Sequence, residues 1–251
     1  MRQTALQVAT ASLNAALYAA LGALWTLFPV TIFGVRFWPQ VFVPGAFAVL
    51  FGPWVGGVGA AVGIFIADVV YGHHDALLSL FVGVPSNFVM FSVLGFLSQR
   101  SPKGAARYGN IIAGVAAPTI IAAYGVYAFS GSTLSILAGI SALAVALVAV
   151  PFLARSSWGD VQAASSIGLA LGSLIIGFGL VAYSSLFVMP QILGLGSSPL
   201  PIVFAYGTTL WTYLSEIPFL LVLTPPIVKA VQATLPSLRI GRAVKSKNAN
   251  A

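Results

Sequence analysis

Across residues 41–71 the chain carries no charged side chain except Asp68. A run of this kind has few ways to fold. Inside lipid every backbone polar group must be satisfied by the segment itself, which restricts a spanning segment to helix or closed barrel. The run is cut once, at Gly52-Pro53-Trp54, where proline removes a backbone donor and glycine accepts the dihedrals of a tight turn. The expectation is two helices folded back on each other, over about 41–51 and 55–71. Both are short for a bilayer, so they are tilted or shielded by protein. Gly59, Gly63 and Ala67 recur at four-residue spacing, a ladder of small residues that lets a neighbouring backbone approach closely.

The rest of the chain obeys the same constraint. Its 251 residues are 59% hydrophobic and 6% charged, with a mean hydropathy of +1.01, values that exclude a water-soluble globule. A span needs about 20 mostly apolar residues. Eight candidates follow in order: 5–28, the two halves of the opening hairpin, 76–97 with Pro85-Ser86-Asn87 in its middle, 110–129, 134–153, 163–188, and 203–231, the last interrupted by Pro218 and by Pro225-Pro226. The first run is too long for a signal-peptide core and is expected to be retained. The fold expected is an all-α integral membrane protein, a compact helical bundle of about eight transmembrane helices forming one domain over 1–251.

Orientation comes from the cations. Starting inside and alternating through eight spans puts Arg2, Arg100, Lys103, Arg107, Arg155, Lys229 and the basic tail at 234–251 in the cytoplasm, and only Arg36 outside. Both termini are then cytoplasmic, in a multi-pass protein of the plasma membrane. The net charge of +7 reads as this topology signal rather than as a nucleic-acid surface. The absence of cysteine excludes disulfides and thiolate metal sites. No GxxxxGK[ST] occurs, so ATP is not held by a loop of that kind. The segment 29–40, with Phe33, Arg36, Phe37 and Trp38 between prolines, has the composition of an interfacial loop.

Polar groups within the apolar runs are costly and therefore candidates for function. Glu216 forms an i, i+3, i+4, i+7 stripe with Thr209, Thr212 and Tyr213, so one face of the last helix looks into protein, and Pro218 frees a carbonyl beside it. The stripe suits ligand binding, or a protonated glutamic acid bonded to a neighbouring helix. Asp68 lies about one turn from the external end of its helix, as ligand contact, helix-end cap or partner of Arg36. Asn87 is placed to bind a substrate amide or to patch the helix at Pro85. His73-His74-Asp75 invites a metal, but adjacent side chains diverge and no further ligand clusters with them, so a solvated or substrate-facing turn is expected and no metal or cofactor. Trp38 and Trp211 share the external side with Phe33 and Phe37, where rings can stack on a planar ligand. Trp54 and Trp158 read as belt residues. Enzyme chemistry is not expected, since no buried histidine could activate a serine and Asp68 is the one aspartate within a helix.

An alanine-rich first helix with AxxxA spacing (Ala15 to Ala19, Ala16 to Ala20), then LFGPWVGGVGAAVGIFIADVVYG, then a last helix reading SEIPFLLVLTPPIVKAVQ resembles the substrate-binding S-component of energy-coupling-factor vitamin transporters. The resemblance implies a six-helix core, here over 1–99 and 160–233, with 110–154 as an additional helix pair that departs from the family pattern. It implies an external pocket for a vitamin or similar micronutrient, and import driven by a transmembrane coupling subunit and two ATPase subunits. Ala15, Ala16, Ala19, Ala20 and Ala23 would meet the coupling subunit, and the Phe33 to Trp38 loop would act as a lid. The ligand such a site suits is a planar, cationic or hydrogen-bond-rich heterocycle held by stacking and by Glu216 and Asp68. Two other readings stay open: a self-sufficient proton-coupled secondary transporter, and a non-transporting scaffold whose polar residues only join helices.

Overall fold

The computed structural model describes residues 2–27, 30–100, 105–130, 150–190, 193–196 and 199–235. Eight helices are present among them: α1 (Arg2–Leu24), α2 (Phe42–Phe51), α3 (Pro53–Tyr71), α4 (Ala76–Arg100), α5 (Ala105–Ser130), α6 (Val150–Arg155), α7 (Gly159–Leu186) and α8 (Ile202–Thr234). Two short strands, β1 (Thr31–Ile32) and β2 (Val35–Arg36), lie between α1 and α2. Five helices among the described residues are long and apolar enough to cross a membrane, namely α1 with its short extension to Leu27, α3, α4, α7 and α8. The chain is a multi-pass helical membrane protein. Its outer surface is correspondingly apolar, with Leu13, Ile66, Val70, Phe81, Phe178 and Val222 exposed. Of the additional pair expected over 110–154, the first member is α5, and most of the second lies outside the described residues, as does the basic tail beyond Leu235.

The break between α2 and α3 is a single residue. Gly52 adopts φ +100, a value open to glycine, and Pro53 starts α3 at a position whose N–H has no partner within the helix. α4 contains a wide turn at Ser79–Gly83 in which Val84 N–H bonds to Ser79 O, five residues back. Pro85 has no N–H and crowds the preceding turn, and the wider turn accommodates it. The carbonyl of Gly83 then accepts from Ser86 Oγ at 2.9 Å and from Asn87 Nδ2 at 3.0 Å.

The last helix departs from the interruption expected at its prolines: α8 runs unbroken for 33 residues through Pro218, Pro225 and Pro226. It packs against α7, α2 and α5, and packing on several sides holds a helix together where proline has removed a local bond.

The helices form a closed sequence of neighbours. α3 packs between α1 and α4, α4 between α3 and α7, and α7 against α8 and α5, while short α2 lies on α3, α4 and α8. Small residues set the spacing. A Cβ added at Gly63 on α3 would sit 2.9 Å from the carbonyl oxygen of Ala15 on α1, and one at Gly59 would collide with the side chain of Asn14. Asn14, fully buried, donates to the carbonyls of Val55 at 3.1 Å and Gly56 at 3.3 Å, joining α1 to the first turns of α3. Tyr18, Phe91, Leu94, Leu169 and Leu220 centre the main core.

Candidate functional site

The segment after α1 turns back into the bundle. β1 and β2 pair antiparallel, with Thr31 opposite Arg36 and Ile32 opposite Val35. Phe33 (φ +51) and Gly34 (φ +72) form the two-residue turn, in the left-handed conformations that match strand twist. This hairpin is fastened to α8 on one side and to α3 on the other. The carbonyl of Phe33 accepts from Thr208 Oγ1 at 3.2 Å, that of Val35 accepts from Trp211 Nε1 at 3.0 Å, and Arg36 Nη1 donates to Tyr71 O at 3.0 Å. The ring of Phe33 meets Phe204 edge-on, with centroids 5.6 Å apart. Beyond the hairpin the chain sinks inward, so that Trp38, Gln40 and Val41 are buried.

A cavity of about 420 Å³ lies beneath it, within the range of small-molecule sites. Around its mouth stand Thr31, Arg36, Asp68 and His73. Its walls are apolar, with Ile64, Leu78, Val82, Ile176 and Leu180, and its inner end is formed by Tyr18, Trp38, Asn87, Met90 and Glu216. At ~1.5 Å per residue, Asn87 lies about 16 Å along α4 from Ala76, and Glu216 about 21 Å along α8 from Ile202. The cavity therefore reaches from the helix ends deep into the bundle.

The polar groups at the mouth are tied together. Asp68 Oδ2 accepts from Ser79 Oγ at 2.7 Å and lies 3.5 Å from His73 Nε2. His73 Nδ1 accepts from the backbone N–H of Asp75 at 3.1 Å, which leaves the ring proton on Nε2, toward Asp68. Asp75 caps the start of α4 by accepting from Leu78 N–H at 3.0 Å, and its other oxygen accepts from Tyr183 Oη at 3.1 Å. His74 points elsewhere and is exposed, with Nδ1 at 2.9 Å from Val69 O. No three His, Cys, Asp or Glu side chains cluster as a metal set among the described residues.

At the inner end Tyr18 Oη donates to Asn87 Oδ1 at 2.9 Å. Glu216 is only 4% exposed, and its carboxyl has no ion pair among the described residues. Burial of a carboxyl without a partner is costly, so this is the feature of the cavity most in need of an explanation.

Of the residues singled out in the sequence, Glu216, Asp68, Asn87, Trp38 and Arg36 line the cavity together. Tyr213, Thr212, Thr209, Trp211 and Phe37 lie outside its lining. Tyr213 Oη is 2.8 Å from Ser166 Oγ, which also bonds to the carbonyl of Gly114, and Thr209 Oγ1 donates to Ser173 O at 3.2 Å. Thr212 is buried, Trp211 holds the hairpin, and Phe37 packs edge-on against Trp25 and Phe219. The alanines of α1 divide between two faces. Ala15 and Ala19 are buried, Ala16 and Ala20 are exposed, and Ala23 is half-buried. Tyr18 and His73 line the cavity without having been singled out as binding residues. Tyr18 follows Asn14 by one turn in an otherwise alanine-rich and leucine-rich helix, and that pair of polar residues was the available signal.

No family model, curated protein or solved structure matches the chain.

Proposed function

We propose that this chain is the substrate-binding membrane subunit of an energy-coupling-factor type importer, capturing a vitamin or related small heterocycle from the external side of the plasma membrane. The observation that carries this reading is a cavity beneath a fastened hairpin, ending on a buried carboxyl that has no ion pair among the described residues. A site of this size with apolar walls and a few convergent polar groups is what a small ligand requires. The cation distribution puts the hairpin end outside and the Arg100, Arg107 and Arg155 end inside. The absence of a phosphate-binding loop fits a chain whose energy comes from other polypeptides, here a transmembrane coupling subunit and two ATPase subunits. On this reading the helix pair over 110–154 adds to a six-helix core, giving eight spans. The exposed pair Ala16 and Ala20, rather than Ala15 and Ala19, is free to meet the coupling subunit.

The test is uptake in cells together with mass spectrometry of small molecules that co-purify with the chain. The expected result is a bound heterocycle whose accumulation requires the coupling and ATPase subunits. Accumulation that persists without those subunits would replace this reading with a self-sufficient transporter, and a chain that neither retains nor transports any small molecule would leave a scaffold.

A further inference from the structure

Resting on the reading of the cavity as a capture site, the geometry points to a polarised ligand: a planar organic cation that enters with its N–H donors foremost, to be held at the inner end by Glu216, while an acceptor-bearing end remains near Arg36.

At the inner end the protein's donors are turned toward protein. The hydroxyl proton of Tyr18 goes to Asn87 Oδ1 at 2.9 Å, and its oxygen lies beside the indole N–H of Trp38. The amide protons of Asn87 are directed to Gly83 O at 3.0 Å and Ser86 Oγ at 3.5 Å. The indole N–H of Trp38 is enclosed by protein and lies toward the phenolic oxygen of Tyr18. What remains is the carboxyl of Glu216, with the thioether of Met90 beside it. A ligand that satisfies these groups brings donors, and one that meets the buried carboxylate at full strength also brings positive charge.

Midway and at the mouth the balance shifts. His73 spends Nδ1 on the Asp75 N–H and turns its proton toward Asp68, and Asp68 Oδ2 is occupied by Ser79. Arg36 uses one nitrogen on Tyr71 O at 3.0 Å, and a guanidinium carries five donors, so it keeps others to offer. Arg36, the most donor-rich side chain lining the cavity, therefore stands at its entrance, and the Glu216 carboxyl at its end. An anion of the same shape would bring only acceptors to the Glu216 carboxyl at the inner end and would have to be desolvated without a cationic partner there.

Three probes of one shape and three charges test this: benzamidinium, benzamide and benzoate, each added to the purified full chain in detergent and followed by ligand-observed NMR. The expected order is benzamidinium first, benzamide weaker, and benzoate unbound. Glu216→Gln lowers benzamidinium affinity by about tenfold or more, because a buried charge loses its partner. The variant and the wild type are compared as monodisperse, helical preparations. Benzoate binding as well as benzamidinium, an unchanged benzamidinium affinity in Glu216→Gln, or no binding by any probe overturns the assignment. The importer reading is judged separately: uptake that depends on the coupling subunits together with a co-purified anion would retain the function and reject the cationic ligand.

Discussion

Tyr18 on α1 and Asn87 on α4 are joined by a hydrogen bond of 2.9 Å between side chains 69 positions apart in the chain. Helices α1 and α4 each pack against α3, and this bond connects them above the ladder of small residues on α3. It also fixes the direction in which both groups face the cavity, and it sits where Pro85 has already altered the helix.

Tyr18→Phe removes the donor and leaves Asn87 Oδ1 buried. A stability loss of about 1–3 kcal/mol is expected for an orphaned buried acceptor. In a double-mutant cycle with Asn87→Ala, measured by denaturant unfolding of the purified protein, the coupling is expected at about 0.5–2 kcal/mol. Strict additivity of the two changes would show that the contact contributes nothing.

The two faces of α1 separate folding from assembly. Ala15 is 4% exposed and its carbonyl lies under Gly63, whereas Ala16 is exposed. Ala15→Leu forces a larger side chain into a close-packed interface and is expected to cost about 1–3 kcal/mol. Ala16→Leu is expected to leave the unfolding midpoint within error and ligand retention intact, while abolishing co-purification of the coupling subunit. If Ala16→Leu and Ala15→Leu destabilise equally, the division of faces is wrong.

The all-helical membrane architecture, the fold-back at Gly52-Pro53 and the expense of Asp68 and Glu216 were all legible in the sequence, because each follows from the poverty of lipid as a hydrogen-bonding solvent. The assembly of the site was only partly so. Thr209, Thr212, Tyr213 and Glu216 share a face of α8, yet Glu216 alone among them lines the cavity, because Thr209 and Tyr213 are covered by α7. Periodicity fixes the direction in which a side chain leaves its helix, and it says nothing about which neighbour stands opposite. Tyr18 escaped notice for the same reason, since it acquires its role from Asn87 on another helix. The alanines of α1 show the limit most plainly: one AxxxA pair is buried and the other exposed, and the two are offset by a single residue.

The hairpin should govern how long a ligand stays. Trp211→Phe removes the N–H that holds Val35 O, leaving the Thr208 contact with Phe33 and the Arg36 contact with Tyr71 in place. Faster ligand dissociation is expected, by several-fold, with little change in the unfolding midpoint. Gly34→Val acts more strongly, because φ +72 disfavours a branched side chain and its Cβ would lie 2.6 Å from Leu195 Cδ1. Dissociation rates indistinguishable from wild type in both variants would show that ligand leaves by a route that does not pass the hairpin.

The orientation can be read directly, because the chain has no cysteine to obscure a label. His74 is exposed at the end of α3 beside the cavity mouth, and Arg155 is exposed at the opposite end, where α6 closes. Among the described residues neither makes a hydrogen bond or ion pair across helices that a cysteine would break; the His74 ring bonds to Val69 O within its own turn. The cation bias places Arg100, Arg107 and Arg155 in the cytoplasm, so His74→Cys is expected to react with a membrane-impermeant maleimide in intact cells, and Arg155→Cys only after permeabilisation. The reversed pattern would put the cavity mouth inside. Capture from the external side would then be untenable, although the account of its donors and acceptors would stand.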